Sequence, residues 1–250
     1  MNYCPRASSD DSSITAYDAE PTTTDRRDSG ERTAQFLAFV GDPSFPCVGS
    51  KAALARGAIH AEEFGRLGDR ANDMPLLDAL AQFAARLDGV DADDTTIHSF
   101  VALFDGPQDT DERRFEAMLW SQLQRLHDLD ARRGTRWSSG VSSDPDDPRF
   151  SLSLAGHPFF VIGLHPGASR LARRFAWPAM VFNSHRQFEQ LRVDGRYSKM
   201  QTATRARDVA LQGSINPNLS DFGSAAETRQ YSGREVDADW TCPFRVRSGH

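Results

Sequence analysis

Residues 1–30 are rich in Ser, Thr, Asp and Arg, and only Tyr3, Ile14 and Tyr17 offer scattered apolar surface. So little apolar area cannot offset the entropy of ordering a segment, which predicts a disordered leader over 1–30. From Glu31 the apolar positions become periodic. In ERTAQFLAFVGD, Phe36, Leu37 and Val40 share a helical face, and Gly41-Asp42-Pro43 stops the helix. FPCVGSKAALARG reads as a tight turn feeding a short helix, with Ser50 as N-cap and Gly57 as C-terminal stop. Leu76, Leu80, Phe83 and Leu87 recur at helical spacing after Pro75 and before Gly89, the mark of an amphipathic core helix. A longer one follows. Phe115, Leu119, Leu123 and Leu126 form its stripe, Asp109 and Glu112 imitate a capping box, and Gly134 closes it.

Strand-like runs lie among these helices. TTIHSFVALF (95–104) is β-branched and aromatic enough to be buried on both faces. Phe150, Leu152 and Leu154 alternate, an Ala-Gly-His-Pro turn follows, and Phe159 to Leu164 is continuously apolar, so the pattern predicts an antiparallel hairpin. PAMVFN (178–183) is a third strand, preceded by a basic helix at about 168–175. Beyond it two helical pieces split at Asp194-Gly195, and the remainder is turn-rich. No internal repeat is present. Helices and strands do not alternate strictly, so the expected fold is α+β: a single domain over 31–250 with a mainly antiparallel sheet packed by helices.

Composition narrows the partners. With 250 residues, 39% apolar, the chain is long enough for a sizeable core. Its net charge of -6 argues against a protein dominated by phosphate contacts to nucleic acid. No apolar run approaches a membrane span and no signal-peptide pattern is present, so the expected compartment is the cytoplasm. Three widely spaced cysteines, Cys4, Cys47 and Cys242, build neither a disulfide framework nor a local zinc motif.

Chemistry concentrates in a few places. Of seven histidines, His157, His165 and His185 fall at the ends of expected strands, where a rigid sheet holds a side chain that is open to a crevice. His157 reads as a turn residue. His165 is followed by Arg170, Arg173 and Arg174, which can converge on an anionic group. A planar cofactor with two propionates, bound through a histidine, would account for these residues and the neighbouring aromatics together. There is no Walker A sequence and no GxGxxG. Cys47 is a competing centre, as a nucleophile or a thiolate ligand just ahead of a helix start. Glu189, Asp208, Asp221 and Glu227, with Asn183, Gln212 and Tyr231, give the C-terminal third a polar density that suits a guanidinium or ammonium ligand.

Seven ordered blocks, FPCVGSKAAL, LWSQLQRLHDLD, FFVIGLHPGASRLARRF, VFNSHRQFEQLR, RARDVALQGSINPNLSDFG, ETRQYSGREV and WTCPF, resemble the YqcI/YcgG family over about residues 31 to 245. Members of that family look like haem-dependent N-oxygenases of guanidino and related nitrogen compounds, among them an arginine N-hydroxylase of D-cycloserine biosynthesis and the pre-guanitoxin N-hydroxylase. The resemblance implies haem b, molecular oxygen and an external electron donor or redox partner, with a small cationic substrate such as arginine or a derivative. On the residues themselves, His165 is the first choice of iron ligand, His185 the second and Cys47 the third. Arg170, Arg173 and Arg174 would hold propionates, Glu189, Asp208 and Glu227 would anchor substrate, and Asn183, His185 or Gln212 would serve catalysis. A haem-binding sensor or carrier without turnover, and a cysteine-nucleophile transferase using Cys47, are the alternatives.

Overall fold

In the computed structural model, residues 30–91, 94–218 and 226–247 are described; residues 1–29 of the leader expected over 1–30, Cys4 among them, and Asp221 lie outside them. Among the described residues six α-helices pack around one five-stranded sheet: α1 (Glu31–Gly41), α2 (Val48–Ala55), β1 (Ile59–Phe64), α3 (Asp73–Asp88), β2 (Ser99–Phe104), α4 (Glu112–Arg132), β3 (Leu152–Leu154), β4 (His157–Leu164), β5 (Ala179–Ser184), α5 (His185–Val193) and α6 (Arg196–Gln212). The strand order is β1-β2-β5-β4-β3, with β1 and β2 parallel and every other pair antiparallel. The expected α+β class holds.

Pleating sorts the strands into two different faces. Phe100, Ala102, Phe104, Phe159, Val161, Met180 and Phe182 point one way and pack against the apolar stripes of α3 and α4. Phe115, Leu119, Leu123 and Leu126 are completely buried, as the spacing of α4 requires. The approach is close at Gly163, where an added Cβ would lie 2.6 Å from Phe115 and 2.8 Å from Leu119. Val101, Leu103, Ile162, Leu164 and Val181 point the other way, and α1 covers only part of that face, through Phe36 and Val40. What α1 leaves open is roofed by α2 and α6.

Local details depart from the sequence reading. β1 is a strand at IHAEEF; it is an edge strand, held by parallel pairing to β2 more than by its own propensity. Cys47 caps α2, not Ser50: its Sγ accepts the Ser50 amide at 3.4 Å. Asp111 rather than Asp109 caps α4 by accepting the Arg114 amide, and Glu112 instead reaches across to the amide and hydroxyl of Ser169. The hairpin turn is Ala155-Gly156 alone, both with positive φ, so His157 is already the first residue of β4. The basic segment 168–175 is not a helix. Only a 3-10 turn at Leu171–Arg173 forms, because the Arg170 and Arg174 side chains fix an irregular loop by bonding to other segments and to loop carbonyls. The split at Asp194-Gly195 is as expected, with Gly195 at φ 74°.

Candidate functional site

The roofed face of the sheet encloses two adjoining lobes, of about 180 and about 220 Å³. Their floor is one face of the sheet: Ile59 from β1, Ser99 and Val101 from β2, Phe160, Ile162 and Leu164 from β4, and Val181 and Asn183 from β5. Across the β2–β5 register Ser99 donates its hydroxyl to Asn183 Oδ1 at 2.7 Å, setting one polar pair in that floor. The roof comes from α6, whose Tyr197, Met200, Gln201, Thr204, Arg205 and Asp208 recur at three- and four-residue intervals and so share one side. Thr204 also accepts the Val48 amide through its hydroxyl, 3.2 Å away, tying α6 to the first turn of α2.

Cys47 stands where the lobes meet and lines both, together with Ser50, Ser99, Ile162, Thr204 and Arg205. Its thiol is free and half-buried. An amide N–H directed at a sulfur stabilises negative charge placed there, the arrangement used to tune thiolate ligands.

The first lobe is mainly apolar, lined by Phe36, Val40, Phe45 and the floor valines and leucine, with Arg170 and Arg173 also in its lining. Arg170 is committed: it meets Asp208 Oδ2 at 2.5 Å and also bonds the Ser214 hydroxyl and carbonyl. Arg173 donates to the carbonyls of Gly163 and Gln230. Burial pushes its guanidinium down to about 10.

The second lobe holds titratable chemistry. His185 begins α5 directly after β5, so the strand end aims its ring at the lobe. Its Nε2 is 3.2 Å from Glu189 Oε1, and its Nδ1 is 4.0 Å from Glu227 Oε2. Burial, aided by Arg192, holds the imidazole below its usual range. Glu227 is buried, accepts the Tyr231 hydroxyl at 2.5 Å and is pushed up to about 8 by desolvation.

The remaining sequence candidates lie elsewhere. His165 is 1% exposed, stacks on Phe115 with ring centroids 4.3 Å apart, and sits on the α4 side of the sheet, away from both lobes. Arg174 bonds the carbonyls of Ala168 and Ser169, and Gln212 bonds Leu171 and Ser169; both hold the loop after β4 and line neither lobe. Glu189 is exposed on α5, paired with Arg192 and His185. Sequence reasoning missed Ser99, Arg192, Thr204 and Arg205. For the α6 pair a signal existed: the stripe from Tyr197 to Asp208 has helical period but is too polar to be a core face.

Among the described residues, no group of three or more His, Cys, Asp or Glu side chains could hold a bare metal ion, and no helix is long and apolar enough to cross a membrane. Residues 36–245 match the YqcI/YcgG family. No curated protein and no solved structure matches the chain.

Proposed function

The chain belongs to the YqcI/YcgG family, and from that premise we propose that it is a haem-dependent monooxygenase that hydroxylates a nitrogen of a small guanidino or amino compound. The observation that carries this reading is the position of Cys47, at the junction of a mainly apolar lobe with arginines in its lining and a lobe bearing a buried acid. A porphyrin asks for an apolar slot, one strong axial donor and cations for its carboxylates, and the residues present fit that request.

Cys47 would hold the haem iron through its sulfur, supported by the Ser50 amide. It is preferred over His165, which faces Phe115 across the sheet, and over His185, whose two ring nitrogens both face carboxylates. Phe36, Val40, Phe45 and Leu164 would pack the macrocycle and exclude water. Arg173 and Arg205 would offer positive charge to its carboxylates, while Arg170 stays with Asp208. When bound, the haem supplies oxygen activation with electrons from an external donor. In the second lobe, Glu227 can surrender its proton to pair with a cationic substrate, and Asn183, fixed by Ser99, can orient a nitrogen through hydrogen bonds. A carrier without turnover has no use for a titratable acid there, so Glu227 favours catalysis over storage.

Protein produced with haem supply is expected to show a Soret band. Given reductant, oxygen and arginine or another guanidine or amine, it should yield a product heavier by one oxygen atom. Absence of the band with or without added haemin would sink the proposal; a band with no oxygenated product from any such substrate would move it to a sensor or carrier.

A further inference from the structure

We infer that Glu227 delivers protons into the second lobe and is reloaded from solvent through His185 and Glu189. Three carboxyl and imidazole groups stand in series from surface to interior. Glu189, with its side chain 47% exposed, meets His185 Nε2 at 3.2 Å; His185 Nδ1 faces Glu227 Oε2 at 4.0 Å; Glu227 borders the lobe. Tyr231 donates to Oε1 of Glu227, the Ser151 hydroxyl also lies beside the carboxyl, and Oε2 is the oxygen turned toward His185. Tyr231 is itself anchored, accepting the Leu152 amide and lying near the Phe159 carbonyl, so Glu227 is held at a fixed place against the sheet. Closing the gap at Nδ1 to hydrogen-bond length takes a shift of about 1 Å.

The protonation states suit the task. Glu227 is pushed up to about 8 by burial, so it is charged with a proton at neutral pH; His185 is held below its usual range by burial and Arg192, so it rests neutral and returns readily to that form. The other charged groups facing His185 are Glu189 and Arg192 on its own helix and, across on β4, His157, which burial holds neutral down to about 4; Arg205 and Tyr197 face the same lobe from α6. In one cycle Glu227 gives its Oε2 proton to the occupant of the lobe; the neutral His185 ring, carrying its proton on Nδ1, takes a second proton at Nε2 from water beside the exposed Glu189 and, as imidazolium, passes the Nδ1 proton to the Glu227 carboxylate; exchange of the Nε2 proton for one at Nδ1 through solvent restores the starting tautomer. One proton moves inward and no bond other than O–H and N–H changes.

The use of that proton rests on the oxygenase reading, since reductive oxygen activation consumes protons, but the relay can be read without haem or substrate. Infrared titration of the purified protein should show a protonated carboxyl that ionises near pH 8 and vanishes in Glu227→Gln. After a rapid jump from alkaline to neutral pH, its reprotonation should be slowed about tenfold or more in His185→Gln and in Glu189→Gln. Added imidazole should restore the rate in His185→Gly, which no merely structural role would produce. Should the His185 variants fail to fold, the exposed Glu189→Gln carries the test alone. Ionisation of Glu227 in the ordinary carboxylate range, or unchanged reprotonation in Glu189→Gln and His185→Gln, would overturn the relay. A protein without a Soret band that passes would lose the oxygenase reading and keep the relay.

Discussion

Arg170 and Asp208 meet at 2.5 Å on the wall of the first lobe, and through them the loop after β4 is clamped to the roof helix α6. Both side chains are 9% exposed. Taking one partner away leaves a buried charge unpaired, so Arg170→Met should cost roughly 3–5 kcal/mol in urea unfolding. Arg170→Met with Asp208→Leu should recover most of that loss, and a double variant no more stable than the single one would contradict the pairing.

Iron ligation separates two candidates that look alike in sequence. Cys47→Ala is expected to remove or strongly shift the Soret band, whereas His165→Leu should leave it in place, because His165 packs on Phe115 on the other side of the sheet. The reverse outcome, read in a single absorption spectrum of each variant, would return the assignment to His165.

Close packing behind the sheet makes its own prediction. A methyl group at Gly163 would enter the space of Phe115 and Leu119. Gly163→Ala should therefore destabilise by roughly 1–3 kcal/mol. Adding Phe115→Leu, which opens room at the nearer contact, should return part of it; a neutral Gly163→Ala in thermal unfolding would count against the packing described.

Stability should depend on pH with a sign set by Glu227. Its folded value of about 8 lies above the ordinary carboxyl value of 4.5, so the folded state binds the extra proton, and stability from this group is lost as pH rises toward 8. His157 works the other way: held at about 4 against an ordinary 6.5, it lets stability fall as pH drops below 6.5. Between 6.5 and 8 the Glu227 contribution stands largely apart from His157, so the free energy of unfolding should decline across that window by about 1–2 kcal/mol. Glu227→Gln should flatten the decline in denaturant titrations at each pH, and a wild-type curve that is already flat would refute it.

Tyr231→Phe should raise the Glu227 titration further, since the phenol stabilises the carboxylate it bonds. An infrared midpoint that moves down, or does not move, would show that the bond is not made in solution.

The one-dimensional pattern was enough for the helices α1, α3 and α4, the hairpin β3–β4, β5 and the α+β class, because each rests on periodicity within a single segment. It also singled out Cys47, Asn183, His185 and Glu227, which the fold brings to the lining of one cavity. It failed at β1, whose short edge strand is made by pairing to β2, and at 168–175, where arginines bond to carbonyls and to Asp208 in place of extending a helix. Which residues share a space was decided only by the fold. His165 and Leu164 are neighbours in sequence, yet the end of β4 sends one to Phe115 and the other to the cavity. Val48 and Thr204 are 156 residues apart and meet because α6 lies across α2. Spacing along a chain fixes which face of its own element a side chain takes; strand order, register and helix placement fix what that face meets, and those depend on the packing of the whole core.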